Sequence, residues 1–298
     1  MDWMDYSPGM HYEGMLIRPP SEAQSILLQA TVGCSHNKCT FCGSYKDKRF
    51  RIKGNDIILS DILLASRYMR DRKRVFMMDG DALIIPYPRL VWILERIKED
   101  LPWVERVGIY ANTKGIGMKS EEELVTLREM GLGIIYMGVE TGDDSTLEAI
   151  RKGANSQRML DMGKKVKKAG IKLSVTVLLG IAGKERSLIH ANATGKLLSA
   201  IDPDYVGALT VMVLPGTPLA HDMSAGRFEL PDNFGLLMEL REMIASTELT
   251  GGLFFSNHAS NYLAVKARLP EGKRQALDVI DTALQGKVGL RPEWMRAL

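Results

Sequence analysis

Apolar runs of strand length alternate with amphipathic stretches through most of this 298-residue chain. A short apolar run between polar or glycine residues is typical of a buried strand, and apolar residues at helical spacing indicate a helix. Buried strands are predicted near 26–32, 75–79, 106–111, 134–139, 172–179 and 205–213. Helices are predicted near 60–73, 88–100, 120–130, 144–152, 156–169 and 186–200. This alternation predicts an α/β protein with parallel strands, either closed into a barrel or open as a wound sheet.

Local signals mark where some of these helices begin and end. Ser120 followed by Glu123 forms a capping box at the start of one helix. Gly131 and Gly170 lie where two of the predicted helices should stop, since glycine readily adopts the left-handed conformation of a helix end.

The regular alternation covers only the middle of the chain. Residues 1–25 are predicted to be irregular, because prolines and glycines interrupt any periodicity there. Residues 220–298 are predicted to form a short α-rich extension, with helices near 233–249 and 270–285. The sequence therefore predicts one core, residues 26–219, with the extension packed on it.

The composition is that of an ordinary globular protein. Apolar residues make up 45% and charged residues 25%, and the net charge of +3 is too small to indicate nucleic-acid binding by itself. No apolar run approaches the ~18 residues of a membrane span, and the acidic start Met1-Asp2-Trp3-Met4-Asp5 lacks a secretory pattern. Together with clustered thiols, these features predict a reducing, cytoplasmic setting and no membrane partner.

All three cysteines lie within nine residues, as Cys34, Cys39 and Cys42 in the pattern C-x4-C-x2-C. So compact a group in a loop after the first strand favours one metal centre over a disulfide framework. Zinc would take the three thiolates together with the nearby His36. A [4Fe-4S] cluster would take the three thiolates and leave its fourth iron open to a small ligand. The spacing alone leaves both metals open.

The residues around the cysteines resemble the cluster loop of the radical SAM superfamily. Cys39-Thr40-Phe41-Cys42 follows a predicted strand and places an aromatic, Phe41, before the third cysteine. Most members of the superfamily space the first two cysteines as C-x3-C, whereas this chain has C-x4-C. The resemblance implies a partial (β/α)6 TIM-like barrel whose three cysteines hold a [4Fe-4S] cluster, with S-adenosylmethionine at the open iron.

The second and third predicted strand ends also resemble elements of this superfamily. Asp79-Gly80-Asp81 resembles its Gly-Gly-Glu element, whose acceptors bind the ammonium group of S-adenosylmethionine. Asn112 resembles the polar residue that lies near the ribose or the methionine portion. The alternative for the aspartates is an ordinary turn at the end of a strand.

The fourth strand end carries a stronger resemblance. Residues 137–147 are similar to the pattern shared by oxygen-independent coproporphyrinogen oxidase, the Elongator catalytic subunit and the methylthiotransferases. In those proteins a glutamate lies by the ribose of the cofactor, and a basic residue at the end of the following helix pairs with the carboxylate of the cofactor. By position, Glu140 takes the first role and Lys152 or Arg151 the second. The alternative is a capped helix start with a basic pair on the surface.

The fifth and sixth strand ends complete the resemblance. Residues 178–185 resemble the G-x-I-x-G-x-x-E element, which contacts adenine through main-chain groups, so Leu178 and Gly180 are the expected contacts. Residues 212–219 are similar to the corresponding segment of the same branch. Each element alone is a common turn, but together they occur along the chain in the same order as in members of the superfamily.

The resemblance implies that the reduced cluster donates one electron to S-adenosylmethionine. The cleavage gives methionine and a 5'-deoxyadenosyl radical, which abstracts hydrogen from a substrate. The electron would come from a donor such as ferredoxin or flavodoxin. Because one cluster takes every cysteine, none remains for an auxiliary cluster or a thiyl radical, which disfavours sulfur insertion. No appended RNA-binding domain is apparent, so we expect a small-molecule substrate, with RNA as the second choice.

Substrate contacts are expected in a polar loop that follows a short apolar run in the C-terminal extension. Its candidates are Asn257, His258, Asn261 and Tyr262, and Tyr45 beside the cysteine loop is a further candidate. The alternative for the loop is a polar turn that caps a helix.

Two non-enzymatic interpretations remain open from the residues alone. One is a zinc-knuckle RNA-binding protein that uses His36 and the basic residues between 46 and 53. The other is a degenerate barrel that carries a cluster without cleaving a cofactor. The elements at Glu140 and Gly180 favour an enzyme over both.

Overall fold

The structure, a computed structural model, describes residues 9–297, so residues 1–8 of the segment predicted to be irregular lie outside the described residues. Residues 9–25 contain one short 3-10 helix, Pro20–Glu22. By internal contacts the chain divides into two compact units. The first comprises the chain up to Asn37, Ser44–Tyr136 and Lys168–Lys172, and the second comprises Lys38–Gly43, Met137–Lys167 and the chain from Leu173 onward.

The first unit is a sheet with helices. Its elements are β1 (Ile26–Gln29), β2 (Thr31–Val32), β3 (Arg51–Ile52), α1 (Asn55–Tyr68), β4 (Arg74–Met78), α2 (Tyr87–Asp100), β5 (Arg106–Ala111), α3 (Thr113–Gly117), α4 (Glu121–Glu129) and the first part of β6 (Leu132–Glu140). The strand order is β1, β4, β5, β6, and the β1–β4 and β4–β5 pairs are parallel. The carboxyl ends of these parallel strands therefore share one edge, where a ligand site is expected.

The strand predicted over 26–32 is in fact two strands. The Ala30 N–H bonds to the Leu28 carbonyl at 3.1 Å, and β2 pairs with β3 in an antiparallel arrangement. The cysteine-containing segment therefore begins and ends at this short pair. A two-residue strand such as β3 is too short for its periodicity to be visible in the sequence.

The second unit continues the alternation. Its elements are the last part of β6, α5 (Asp144–Ala149), α6 (Ser156–Lys168), β7 (Lys172–Leu179), α7 (Gly183–Ile201), β8 (Tyr205–Thr210), α8 (Pro218–Ser224), α9 (Asn233–Ala245), β9 (Leu253–Phe255), β10 (Lys266–Arg268) and α10 (Lys273–Leu284). The last residue of α6, Lys168, and the first residue of β7, Lys172, belong to the first unit. The strand order is β6, β7, β8, β9, β10. The β7–β8 and β8–β9 pairs are parallel, and β10 is antiparallel to β9. The structure thus adds a further parallel strand, β9, beyond the predicted alternation.

The predicted helix ends are confirmed. Ser120 Oγ accepts a hydrogen bond from the Glu123 N–H at 3.0 Å, and the Ser120 N–H donates to the Glu123 carboxylate at 2.8 Å. Gly131 and Gly170 have positive φ angles of 108° and 73°, which a helix end of this kind requires. The predicted α/β class with a mostly parallel sheet is confirmed as well. No helix within residues 9–297 has the length and apolar composition needed to cross a membrane.

Candidate cofactor site

The end of β4 carries a buried carboxylate with one oxygen left unbonded. Asp79 is fully buried, and its Oδ2 accepts hydrogen bonds from Gln29 Nε2 at 3.0 Å and the Gly33 N–H at 2.8 Å. Its Oδ1 is buried too and has no hydrogen-bond partner among the described residues. Burial raises the pKa of Asp79, and the bonds from Gly33 and Gln29 oppose that rise. A buried acceptor without a donor is unfavourable, so this position suits a ligand that brings an N–H group.

Asp81 connects the ends of β4 and β5 with the start of the cysteine loop. Its Oδ1 accepts from the Asn112 N–H at 3.1 Å, and its Oδ2 accepts from Ser35 Oγ at 2.5 Å. Asn112 donates from Nδ2 to the same Ser35 Oγ at 3.2 Å, and its own Oδ1 caps α3. Burial raises the pKa of Asp81 to about 6. Because both oxygens of Asp81 are bonded within the first unit, the structure gives this carboxylate a supporting role for the loop.

Gly80 allows the cysteine loop to lie against the end of β4. A Cβ atom on Gly80 would come within 3.0 Å of Cys34 Cβ, 3.4 Å of Cys34 Sγ and 2.9 Å of Tyr45 Cε2. Tyr45, predicted as a substrate contact, is buried at this position. The first cysteine therefore lies beside the Asp79-Gly80-Asp81 element.

We expect Gly80→Ala to reduce the iron and sulfide that the protein retains after anaerobic loading to less than about half of the wild-type amounts. The added methyl group would displace Cys34 or Tyr45, and such overpacking forces side chains away from their rotamers. Iron and sulfide assays on desalted protein measure the effect. The matched control is Gly289→Ala, because a Cβ there meets no atom within 4 Å. Equal loading of the two variants would contradict the prediction.

The other two cysteines are carried by residues 38–43, which belong to the second unit. The Thr40 N–H donates to the Ile150 carbonyl at 3.0 Å, and the Thr40 carbonyl accepts from the Leu219 N–H at 3.0 Å. Phe41 packs against an apolar cluster that includes Leu178 and Ile150. The structure thus brings together two of the predicted cofactor contacts, Phe41 and Leu178.

The number and chemical type of the cysteine ligands fit a cluster with an open iron. None of the three is in a disulfide. Three thiolates in nine residues leave one iron of a [4Fe-4S] cluster for another ligand. The unbonded Asp79 oxygen fits a ligand with an amino group. Among residues 9–297, no three His, Cys, Asp or Glu side chains are arranged as ligands of one metal ion.

In the second unit, the end of β6 carries a half-buried ion pair. Glu140 Oε1 accepts from Lys152 Nζ at 2.6 Å. Gly138 lies two residues earlier, on the same face of β6, and a Cβ atom there would overlap Glu140 Oε1 and lie 3.1 Å from Lys152 Nζ. Lys152 meets Glu140, and Arg151 lines an exposed groove beside α5. Pairing of either residue with the carboxylate of the cofactor stays a prediction. Gly138 is a site residue that the sequence analysis missed.

A buried hydrogen-bond network that the sequence analysis also missed joins the ends of β6 and β7. His190 Nδ1 lies 2.6 Å from Thr141 Oγ1, and His190 Nε2 lies 3.1 Å from Glu239 Oε1. Glu239 Oε1 accepts from the Gly180 N–H at 2.6 Å, and Glu239 Oε2 accepts from the Ser187 hydroxyl. His190 and Glu239 are fully buried. They lie on different helices, α7 and α9, so no local sequence motif identifies them as a pair.

The polar loop after β9 makes many bonds within the second unit. Asn261 is buried, and its Nδ2 donates to the carbonyls of Ala208 and Ser256, both at 2.8 Å. Its Oδ1 accepts from Thr210 Oγ1 at 2.8 Å. These bonds use both amide hydrogens, so Asn261 ties the loop to the end of β8.

The other loop candidates are bound locally or exposed. His258 Nδ1 accepts from the Ser260 N–H at 3.1 Å, and burial lowers the pKa of His258. The Tyr262 hydroxyl donates to the Glu293 carboxylate at 2.5 Å, and the Arg296 guanidinium lies 4.2 Å from the Tyr262 ring centre. Asn257 is exposed. Substrate contact by these residues stays a prediction.

Comparison with known protein families decides the class of this chain. The profile of the Radical SAM superfamily matches residues 28–189, which is more than half of the chain. The chain belongs to the radical SAM superfamily. This membership confirms the resemblance given in the sequence analysis.

Two curated relatives show how far the similarity of this radical SAM enzyme extends. An uncharacterized methyltransferase of Pyrococcus horikoshii is 26% identical over 192 residues, which cover 63% of this chain and 39% of the relative. The tRNA-2-methylthio-N(6)-dimethylallyladenosine synthase of Dehalococcoides mccartyi is 24% identical over 230 residues, covering 75% of this chain and 52% of the relative. The chain thus spans about half or less of these relatives' lengths.

A solved structure confirms the fold class of the radical SAM enzyme. Coproporphyrinogen III oxidase (HemN) from Escherichia coli superposes with a TM-score of 0.55 at 15% identity, covering 74% of this chain and 51% of that one. At this level of identity the likeness shows the fold alone. It matches the predicted α/β fold of the partial-barrel type.

Proposed function

We propose that Cys34, Cys39 and Cys42 hold the cluster and that the end of β4 binds the methionine portion of S-adenosylmethionine. In this proposal Asp79 Oδ1 accepts a hydrogen bond from the ammonium group, and Gly80 allows Cys34 to lie against the end of β4. The observation that carries the assignment is the fully buried, unbonded oxygen of Asp79 next to a cysteine-bearing loop. Asp81 and Asn112 hold the loop in place through Ser35 and lie close to the same portion of the cofactor.

The second unit is proposed to bind the nucleoside and carboxylate portions. Glu140 accepts hydrogen bonds from the ribose hydroxyls, while Lys152 holds its carboxylate in place. Arg151 pairs with the carboxylate of the cofactor. The main chain at Gly180 contacts adenine, and the apolar side chains of Phe41 and Leu178 flank this region. When bound, the cluster and S-adenosylmethionine supply reductive cleavage to methionine and a 5'-deoxyadenosyl radical.

The proposed division of the chain places this chemistry in residues 26–219, with 220–298 as an extension. Glu239 lies in that extension and bonds directly to the Gly180 N–H. This bond favours the interpretation that the extension stabilises the cofactor site and does not form a separate functional unit.

We propose a small molecule as the substrate and a small electron-transfer protein, such as ferredoxin or flavodoxin, as the reductant. The basic residues after the cysteine loop, which an RNA-binding protein would offer to phosphates, are largely engaged within the first unit. Lys48 Nζ donates to the Glu13 carbonyl at 2.9 Å, Arg51 pairs with the Glu13 carboxylate, and Lys53 is buried against Gln29 Oε1 at 2.9 Å. The second candidate substrate is RNA, which the name of the Dehalococcoides relative favours.

The two substrate classes can be separated by substrate-stimulated release of 5'-deoxyadenosine under dithionite. We expect the low-molecular-weight fraction of a cell extract to raise the release by about tenfold over the uncoupled background, which requires only ~1.4 kcal/mol in the barrier. The RNA fraction of the same extract should leave the background unchanged. Stimulation by the RNA fraction that ribonuclease abolishes would contradict the small-molecule proposal and establish the second candidate.

A further inference from the structure

The network of Thr141, His190, Glu239 and Gly180 touches both strand ends to which the nucleoside portion of the cofactor is assigned. Thr141 follows Glu140 directly at the end of β6, and Gly180 is the first residue after β7. Neither Glu239 nor His190 faces solvent, since both are fully buried. Their bonds therefore act on the main chain and on Thr141 rather than on a ligand.

The hydrogen-bond roles in this network are fixed by its geometry. Thr141 Oγ1 accepts from the Asp143 N–H at 2.9 Å, so its own hydrogen is available for His190 Nδ1. The Thr194 hydroxyl donates to the His190 carbonyl at 2.7 Å, and its oxygen lies 3.3 Å from His190 Nδ1. His190 Nε2 lies 3.1 Å from Glu239 Oε1 but makes no hydrogen bond with it. Glu239 accepts hydrogen bonds from Ser187 and from the Gly180 main chain.

Besides the hydrogen bond to Glu239, neighbouring side chains restrict the turn at Gly180. Gly180 has a φ of 79°, in the left-handed region, and a Cβ atom there would lie 3.1 Å from Leu236 Cδ2 and 3.2 Å from Leu230 Cδ2. Leu236 lies on α9, the same helix that carries Glu239. The helix therefore holds the turn by packing and by one charge-assisted hydrogen bond to its main chain.

We infer that Glu239 and His190 are positioning residues for S-adenosylmethionine, which hold the main chain at Gly180 and Thr141 in the arrangement that binds the nucleoside portion. The inference rests on the proposed function in taking Glu140 and Gly180 as nucleoside contacts. Loss of the Glu239 carboxylate leaves the Gly180 N–H without an acceptor and removes the charge that faces His190 at 3.1 Å, so the two strand ends can move independently.

Affinity for S-adenosylmethionine, measured by calorimetry on the anaerobically loaded protein well below its melting temperature, tests this inference. We expect Glu239→Leu to weaken binding by about tenfold, or ~1.4 kcal/mol. Glu239→Gln retains one acceptor oxygen for the Gly180 N–H and should stay within about threefold of wild type.

The matched control is Glu242→Leu. Glu242 also lies on α9 and accepts from Asn192 of α7 at 2.7 Å and from Ser246 at 2.8 Å, and neither bond reaches a strand end. Its loss should lower the melting temperature comparably and change the affinity by less than about twofold. If Glu239→Leu does not fold, Thr141→Val removes the other end of the network, and Thr141→Ser retains its hydroxyl.

The possible outcomes separate the inference from the proposal beneath it. Weaker binding in Glu239→Leu or Thr141→Val, with near-normal binding in Glu239→Gln, Thr141→Ser and Glu242→Leu, supports the positioning role. Unchanged binding in Glu239→Leu and Thr141→Val, or an equal loss in Glu242→Leu, overturns the inference alone. Wild-type protein that loads its cluster but binds no S-adenosylmethionine overturns the proposed function and the inference with it.

Discussion

Asp79→Asn is expected to weaken S-adenosylmethionine binding by about tenfold to a hundredfold. A hydrogen bond to a charged group contributes ~1.5–3 kcal/mol, and this carboxylate offers a buried oxygen with no other partner. Asparagine retains one acceptor for Gln29 and Gly33, but its amide group would face the ammonium with a donor. Calorimetric titration of the anaerobically loaded variant with S-adenosylmethionine gives the loss directly.

The same substitution should leave the cluster-free protein at least as stable as wild type near neutral pH. Burial raises the pKa of Asp79 in the folded state, so the folded protein holds this proton more tightly than the unfolded chain does. The stability gained from that proton is present at low pH and is lost as the pH rises through the folded pKa. Asparagine carries no charge and avoids this loss. The melting temperatures of Asp79→Asn and wild type should therefore differ most at pH values above the folded-state pKa of Asp79.

The control for Asp79→Asn is Asp61→Asn. Asp61 is also buried and also has one oxygen without a partner, but it lies on α1 and bonds to His11. Asp61→Asn should leave the affinity for S-adenosylmethionine within about twofold of wild type. Equal affinities in the two variants would contradict the assignment of Asp79 to the ammonium group.

Gly138→Ala should weaken S-adenosylmethionine binding by about tenfold or more with little loss of stability. The new methyl group would overlap Glu140 Oε1, which is the end of a flexible side chain, so the fold can absorb it by moving that carboxylate. The movement breaks the 2.6 Å bond to Lys152 and withdraws the acceptor assigned to the ribose. Loss of such charge-assisted bonds costs ~1.5–3 kcal/mol. Calorimetry and thermal denaturation measure the two effects separately.

Gly207→Ala is the matched control within a strand of the same unit. A Cβ on Gly207 would meet Leu209 Cδ1 at 3.7 Å, which is an ordinary contact. Its affinity for S-adenosylmethionine should stay close to that of wild type. If Gly138→Ala bound the cofactor equally well, the Glu140–Lys152 pair would have no part in the site.

The central strands and helices could be predicted because they are buried or capped by neighbouring residues. The strand Arg106–Ala111 is visible as an apolar run, and the capping box at Ser120 lies within four consecutive residues. The sequence analysis predicts no helix at Pro218–Ser224, although Thr217 caps this short helix through the Ala220 N–H. The strand Leu253–Phe255 pairs with β8, and three residues do not establish a period.

The candidate site could be predicted where its residues follow a strand directly in the sequence. Asp79 and Glu140 have that position, so their strand ends indicated them. The sequence did not show that Lys152, and not the adjacent Arg151, forms the bond to Glu140 Oε1 at 2.6 Å, because this depends on the turn in which Arg151 adopts a φ of 52°. It could not find Glu239, since its partner Gly180 is far away in the chain and the bond forms through the main chain.

The most direct measurement of the central claim is release of 5'-deoxyadenosine by anaerobically purified protein given dithionite and S-adenosylmethionine. Wild-type protein should contain about four iron and four sulfide per chain and release 5'-deoxyadenosine and methionine. Cys39→Ala should lose both the cluster and the release. Bound zinc without sulfide and no 5'-deoxyadenosine from wild type, or undiminished release from Cys39→Ala, would contradict the account.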